Sequence, residues 1–158
     1  MTKVYFICGF IGSGKSTYAA KLTRDLGAFC FTPDEWMIPL FGEHMEREVF
    51  DARMSALTEL FDRCAERLLE LGIPVVFDYG YWNRPERDKA RDWAKQRGID
   101  FEMIYLDVDF ATCQSRAFAR NEIRGEQSYE MTPEMLELFW SWFEAPASDE
   151  ECTRLENM

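Results

Sequence analysis

At 158 residues, 47% of them apolar and 15% aromatic, the chain is long enough for one domain with its own core and too apolar for disorder. Its formal net charge of −11 weighs against a long polyanionic partner, and the stretch from Glu130 onward holds eight acidic residues against the single Arg154. No apolar run reaches the length of a membrane span and no secretory leader fits before the first strand, so a cytoplasmic domain covering residues 1–158 is the expectation.

The first strand is expected at Val4–Cys8. It runs into Gly9-Phe10-Ile11-Gly12-Ser13-Gly14-Lys15-Ser16, which satisfies G-x-x-x-x-G-K-[ST] at every position, and a helix follows from Thr17. Strand, glycine loop and helix form the setting in which backbone N–H groups turn inward around a phosphate, with the positive end of the helix dipole behind them. Gly9, Gly12, Ser13, Gly14 and Thr17 are therefore expected to cradle phosphates. Lys15 would neutralise β/γ oxygens, and the Ser16 hydroxyl would join the shell of a Mg²⁺ ion. The implied ligand is a nucleoside triphosphate.

Gly27 stops the first helix, and a second strand is expected at Ala28–Thr32. A long helix over Glu46–Leu71 carries Val49, Leu57, Leu60, Phe61, Cys64 and Leu68 at mostly three- and four-residue spacing and ends at Gly72. The third strand, Ile73–Asp78, is almost continuously apolar, as strands covered on both faces are. A helix over Pro85–Arg97 begins after Asn83, and a fourth strand covers Phe101–Asp107. The next helix runs from Phe110 to about Arg124 behind an Asp109 cap, and the last spans Thr132–Glu144 with Pro133 at its first position. Residues 148–158 are acidic and expected to be loosely ordered. A fifth strand at Cys152–Leu155 has too weak a signal to count. Alternating strands and helices imply a three-layer α/β/α sandwich on a parallel sheet of four to five strands. The five cysteines are odd in number and never paired as C-x-x-C, which fits free thiols rather than a disulfide framework or metal cluster.

Ligands of such sheets sit outside the carboxyl ends of the strands, so the residues ending each strand are the candidates for chemistry. Asp78 follows four apolar residues, the form of a Walker B acid, and is expected opposite Ser16 at the Mg²⁺; capping a turn is the bland alternative. Asp34, after Pro33, is the candidate base for an acceptor hydroxyl, with Glu35 as its substitute. Pro-Asp-Glu is also ordinary helix-start chemistry. Arg116, Arg120 and Arg124 recur every four residues and so share one helix face, which suits a clamp on phosphates and equally a solvated face. Residues 121–132 are polar and read as a lid. Trp36, Phe41, Tyr79, Tyr81 and Trp82 flank the expected acceptor site, as stacking surfaces or as packing beneath loops. His44 is expected on the surface.

With these residues assembled, the chain resembles the small P-loop kinases grouped as AAA-domain ATP-binding proteins, which are similar to zeta toxins, chloramphenicol phosphotransferase and polynucleotide 5′-hydroxyl kinases. The blocks that carry the resemblance are the loop through Thr17, Pro33 to Met37, Val-Val-Phe-Asp78-Tyr-Gly-Tyr-Trp, Arg116 to Asn121, and Met131 to Met135. The resemblance implies ATP with Mg²⁺ at Lys15 and Ser16, Asp34 as base, and Arg120 with Arg116 on phosphates. It departs from many relatives in having too short a carboxyl end for their extra strand and adenine-binding loop.

Phosphorylation of a small-molecule hydroxyl is the leading expectation. A polynucleotide or nucleotide-sugar kinase is the second, though the acidic surface suits a nucleic-acid acceptor poorly. A nucleotide-gated binding module with little transfer activity is the third. The acceptor and the oligomeric state are not specified by the sequence.

Overall fold

The computed structural model describes residues 2–123 and 131–156. Its centre is a five-stranded sheet in the order β2-β3-β1-β4-β5, formed by β1 (Lys3–Cys8), β2 (Phe29–Phe31), β3 (Val75–Gly80), β4 (Asp100–Asp107) and β5 (Thr153–Glu156). Every pairing is parallel, with Phe6 opposite Phe77 on one side of β1 and opposite Met103 on the other. Parallel neighbours need crossover helices, and the chain supplies them on both faces. The helices are α1 (Lys15–Leu26), α2 (Pro33–Phe41), α3 (Arg47–Glu70), α4 (Arg84–Gln96), α5 (Phe110–Ile123) and α6 (Pro133–Trp142).

Strand alternation sorts the core. Val4, Phe6, Val75 and Phe77 face one side and pack with Leu57, Phe61 and Ala65 of α3 and Ala94 of α4. Ile7, Val76 and Ile104 face the other side, against Ala19 of α1. A third cluster, around Phe10, Cys113, Ala117 and Leu136, joins the loop after β1 to α5 and α6. The buried stripe of α3 is narrower than its apolar spacing suggests, because Leu60, Cys64 and Val49 are exposed.

Local chemistry fixes the helix ends. The Asn83 side chain accepts from the Glu86 N–H at 2.9 Å, the Glu86 carboxylate accepts from the Trp82 N–H at 3.0 Å, and Pro85 occupies the first turn of α4. Thr132 caps α6 by accepting from Met135 at 3.2 Å. Gly27 closes α1 at φ 65°, a left-handed turn that costs glycine no Cβ clash.

Two departures from the sequence reading matter. Residues 33–41 form a helix of their own, with Asp34 and Glu35 in its first turn, so the helix-start reading of that stretch holds. The expectation of a loose tail over 148–158 is corrected: residues 153–156 are the fifth strand, in register with Ile104 to Asp107 of β4. What fastens it is long-range. Glu150, 1% exposed at its side chain, receives Arg87 at 2.8 and 3.0 Å and Arg91 at 3.0 Å, and Arg154 pairs with Asp107. A four-residue strand with one apolar residue has no local signal to read. Among the described residues, no helix is long and apolar enough to cross a membrane.

Candidate active site

The loop between β1 and α1 is packed too tightly for side chains at Gly9 and Gly12. A Cβ on Gly12, at φ +81°, would stand 2.3 Å from the Cys113 carbonyl oxygen of α5. A Cβ on Gly9 would stand 2.5 Å from the Ser13 Oγ, which is buried without a partner among the described residues. The Gly9 N–H donates to Gly80 at the end of β3, and Ser13 N–H to Phe10 at 3.1 Å. Gly14, at φ 98°, turns the chain into α1, whose first turn carries no acidic residue to offset the positive end of its dipole. Lys15 lies across the loop with its ammonium on the Phe10 carbonyl at 3.2 Å. Ser16 and Thr17 are exposed on the first turn.

Asp78 sits beneath this turn, 5% exposed. Its Oδ2 accepts from the Ser16 hydroxyl at 3.2 Å and from the Thr32 hydroxyl at 3.3 Å. Its Oδ1 is buried with no hydrogen-bond partner among the described residues. A hard cation takes such a set of oxygens, so these residues fit Mg²⁺.

Asp34 projects from the first turn of α2 into the same cleft and is half-buried. Burial pushes its carboxyl up to about 6 from the ordinary 3.8; Lys15 and Arg120 offset part of the rise, and Asp78 adds to it. Glu35 is exposed, and partial desolvation with the Asp78 charge moves it up as well.

The arginine face divides. Arg120 lines the cleft near Asp34. Arg116 braces the loop from behind, donating to the Ser13 carbonyl at 3.3 Å and the Gly12 carbonyl at 3.5 Å. Arg124 lies outside the described residues, as does most of the stretch read as a lid. The ends of that stretch are joined, because the Asn121 side-chain amide donates to the Met131 carbonyl and accepts from its N–H at 2.9 Å.

The cleft opens into a cavity of about 1040 Å³ that runs from Lys15, Ser16 and Asp34 across β3 to α3 and α4. Of the aromatic set, Tyr79, Tyr81 and Trp82 line it, whereas Trp36 packs on Phe61 and Phe41 lies under Arg53. Tyr81 has φ 49°, unusual for a non-glycine residue. Its carbonyl is held by the buried Arg87 at 3.0 Å and by the Cys8 thiol at 3.4 Å. His44, exposed, stands at the rim. Sequence reasoning missed the far wall: Met54, Thr58 and Asp62 on α3 and Lys89 and Trp93 on α4. Their four-residue spacing was readable, but which helix face meets a cavity was not. Burial pushes Asp62 up to about 6, with Lys89 and Arg97 opposing and Glu66 and Glu59 reinforcing.

Comparison with known proteins places this architecture. The structure is similar to a gluconokinase from Sinorhizobium meliloti (TM-score 0.64, 19% identity, covering 98% of this chain and 82% of that one). It is similar to the Mycobacterium tuberculosis APS kinase CysC, solved with AMPPNP and APS (TM-score 0.66, 20% identity, 98% and 88% covered). It is similar also to Kti12 from Chaetomium thermophilum, solved with ADP-AlF3 (TM-score 0.72, 18% identity, 97% and 88% covered). These likenesses show a three-layer P-loop fold of the kinase type. No curated protein matches the chain. The AAA domain family matches residues 4–146, nearly the whole chain, and the chain belongs to that family.

Proposed function

We propose that the protein is an ATP-dependent kinase of a small-molecule hydroxyl. The observation that carries this reading is the position of Asp34, which lines the same cavity as Lys15, Arg120 and the Ser16–Asp78 pair. Solved neighbours named for gluconate and APS, one of them holding a nucleotide analogue, lend support from the fold.

In this mechanism the amides of Gly14 to Thr17 and the dipole of α1 receive the triphosphate, and Lys15 leaves the Phe10 carbonyl for the β/γ oxygens. Mg²⁺, held by Ser16 and Asp78, would screen the phosphate charge. Arg116 keeps the loop in shape, and Arg120 faces the charge that spreads over the γ-phosphoryl oxygens. Asp34 orients the acceptor hydroxyl and takes its proton as the new O–P bond forms and the bond to the ADP oxygen breaks. A carboxyl near 6 is ionised at neutral pH yet basic enough to accept that proton.

The test is transfer of labelled γ-phosphate to a panel of hydroxyl compounds, read by mass. Asp34→Asn should keep ATP affinity by calorimetry and lose transfer by about 10²–10⁴-fold. Lys15→Ala should weaken ATP binding itself. Full transfer by Asp34→Asn would remove Asp34 from the chemistry, and ATP binding by Lys15→Ala equal to the parent would remove the loop.

A further inference from the structure

The cavity extends well beyond the phosphate loop, and its far half is built differently from the half around Asp34. Met54, Thr58 and Asp62 form one stripe of α3 that lines it, and Glu86, Lys89 and Trp93 form another on α4. Between them Phe77 and Tyr79 of β3, with Tyr81 just beyond the strand's end, make the floor. The Tyr79 and Tyr81 rings stack at 5.5 Å, and Trp93 meets Phe77 edge-on at 5.8 Å. Such a floor suits a flat apolar group.

Polar atoms in this half are left wanting. The Tyr79 hydroxyl and the Trp93 Nε1 are buried, and neither finds an acceptor among the described residues. The Asp62 carboxylate is half-buried and, among the described residues, accepts no hydrogen bond, although it lies close enough to Tyr79 for its charge to act there. An orphaned buried donor costs about 1–3 kcal/mol, so packing alone would favour phenylalanine at position 79. Two orphaned donors and one unserved carboxylate, on residues of three elements that line one cavity, are what the polar end of a ligand would satisfy.

Charge narrows the ligand. Apart from the groups assigned to phosphates and the base, and leaving aside Glu43 and Arg47, which have partners of their own, this half presents Asp62 and Glu86 against Lys89. Arg47 is paired with Asp51 at 3.1 Å. The surplus is negative, and so is the chain. Such a chamber disfavours an anionic acceptor and favours a cation.

We infer that the acceptor is a cationic amino alcohol carrying a planar apolar group. Its ring lies over Tyr79 and Tyr81, its ammonium donates to Asp62, and an oxygen of the same end takes the Tyr79 and Trp93 donors. Its reacting hydroxyl reaches Asp34. The inference rests on the kinase reading above for the word acceptor, and on the chamber alone for the binding preference.

Calorimetry on the full chain without nucleotide, using three probes of one skeleton, separates the two. The probes are phenylalaninol, which is cationic, hydrocinnamyl alcohol, which is neutral, and phenyllactate, which is anionic. Phenylalaninol should bind at least about tenfold more tightly than phenyllactate. Asp62→Asn should lower phenylalaninol affinity about tenfold and leave hydrocinnamyl alcohol unchanged. The exposed Lys89→Gln change, which leaves packing alone, should move phenylalaninol in the opposite direction. Equal or tighter binding of phenyllactate, indifference of phenylalaninol to both substitutions, or no saturable binding of any probe by about 10 mM overturns the inference. Phenylalaninol binding through Asp62 in a protein that phosphorylates no alcohol keeps the amine site and sinks the kinase reading. Transfer to an anionic acceptor alone does the reverse.

Discussion

Two groups of buried acids in this molecule are treated in opposite ways. Asp34 and Asp62, in the cleft, are pushed up to about 6 by burial. Glu150, in the segment before β5, is drawn down to about 2, first by its hydrogen bonds from Arg87. Burial alone does not separate them, since the Glu150 side chain is itself only 1% exposed. The difference is hydrogen bonding: Arg87 and Arg91 bring three donors to Glu150, while Lys15, the cation nearest in effect to Asp34, has its ammonium on the Phe10 carbonyl. The fold places its best-matched ions where they hold the last strand and, among the described residues, leaves both cleft carboxylates without a hydrogen-bonded cation.

The largest way to break that contrast is Glu150→Ala. It strands Arg87, which is 0% exposed, without its counter-charge. Breaking a buried pair from one side costs about 3–5 kcal/mol, and urea unfolding should show a loss of that size. The Tyr81 carbonyl, held by the same arginine, should loosen with it. Because the folded value of Glu150 lies below its ordinary 4.5, the stability it contributes is complete above that pH and disappears as pH falls toward 2. The variant should therefore lose Glu150's share of the acid limb in the parent's stability curve. A parent-like melt at every pH would show that Glu150 does not hold the tail.

Asp34→Asn should act in the other direction on stability while removing transfer. The folded pKa of Asp34 is above the unfolded one, so its protonated form is favoured in the fold. That contribution is full below about 3.8 and is lost as pH rises through about 6. An amide escapes the loss. At pH 7 the variant should be more stable than the parent by on the order of 2 kcal/mol, and the two should converge near pH 4. In the parent, the acid limb of kcat/KM should report the same group with an apparent pKa near 6. An unchanged melting temperature at pH 7 would mean that the cleft does not strain this carboxylate.

The same contrast explains what the sequence made legible. The phosphate end of the cavity is nine consecutive residues whose chemistry is backbone geometry, so Gly12 at φ +81° and Gly14 at φ 98° are written in the chain itself. Asp78 was readable because a strand brings its last residues to the same edge as the loop. Asp62, Lys89 and Trp93 were not, since each sits on a long amphipathic helix where a polar residue ordinarily faces water. Only the placement of α3 and α4 over β3 turns them inward. The tail was misjudged for a related reason: Arg87 and Arg91 read as solvated charges on α4, and their partner lies about sixty residues further along.

The smallest and most pointed experiment concerns a single oxygen. Tyr79→Phe keeps the ring that stacks at 5.5 Å on Tyr81 and removes a buried hydroxyl with no partner. If that hydroxyl exists for packing, the change has no reason to improve the fold or to touch binding. If it is held in reserve for a ligand, the free protein gains about 1 kcal/mol by losing an unmet donor, and affinity for a ligand that uses it falls. Thermal melting of parent and variant, each with and without phenylalaninol, reads both effects at once. The variant should melt higher alone and gain less from the compound. A variant that melts lower when free would show that the hydroxyl contributes to the folded protein itself and would remove it from the acceptor chamber.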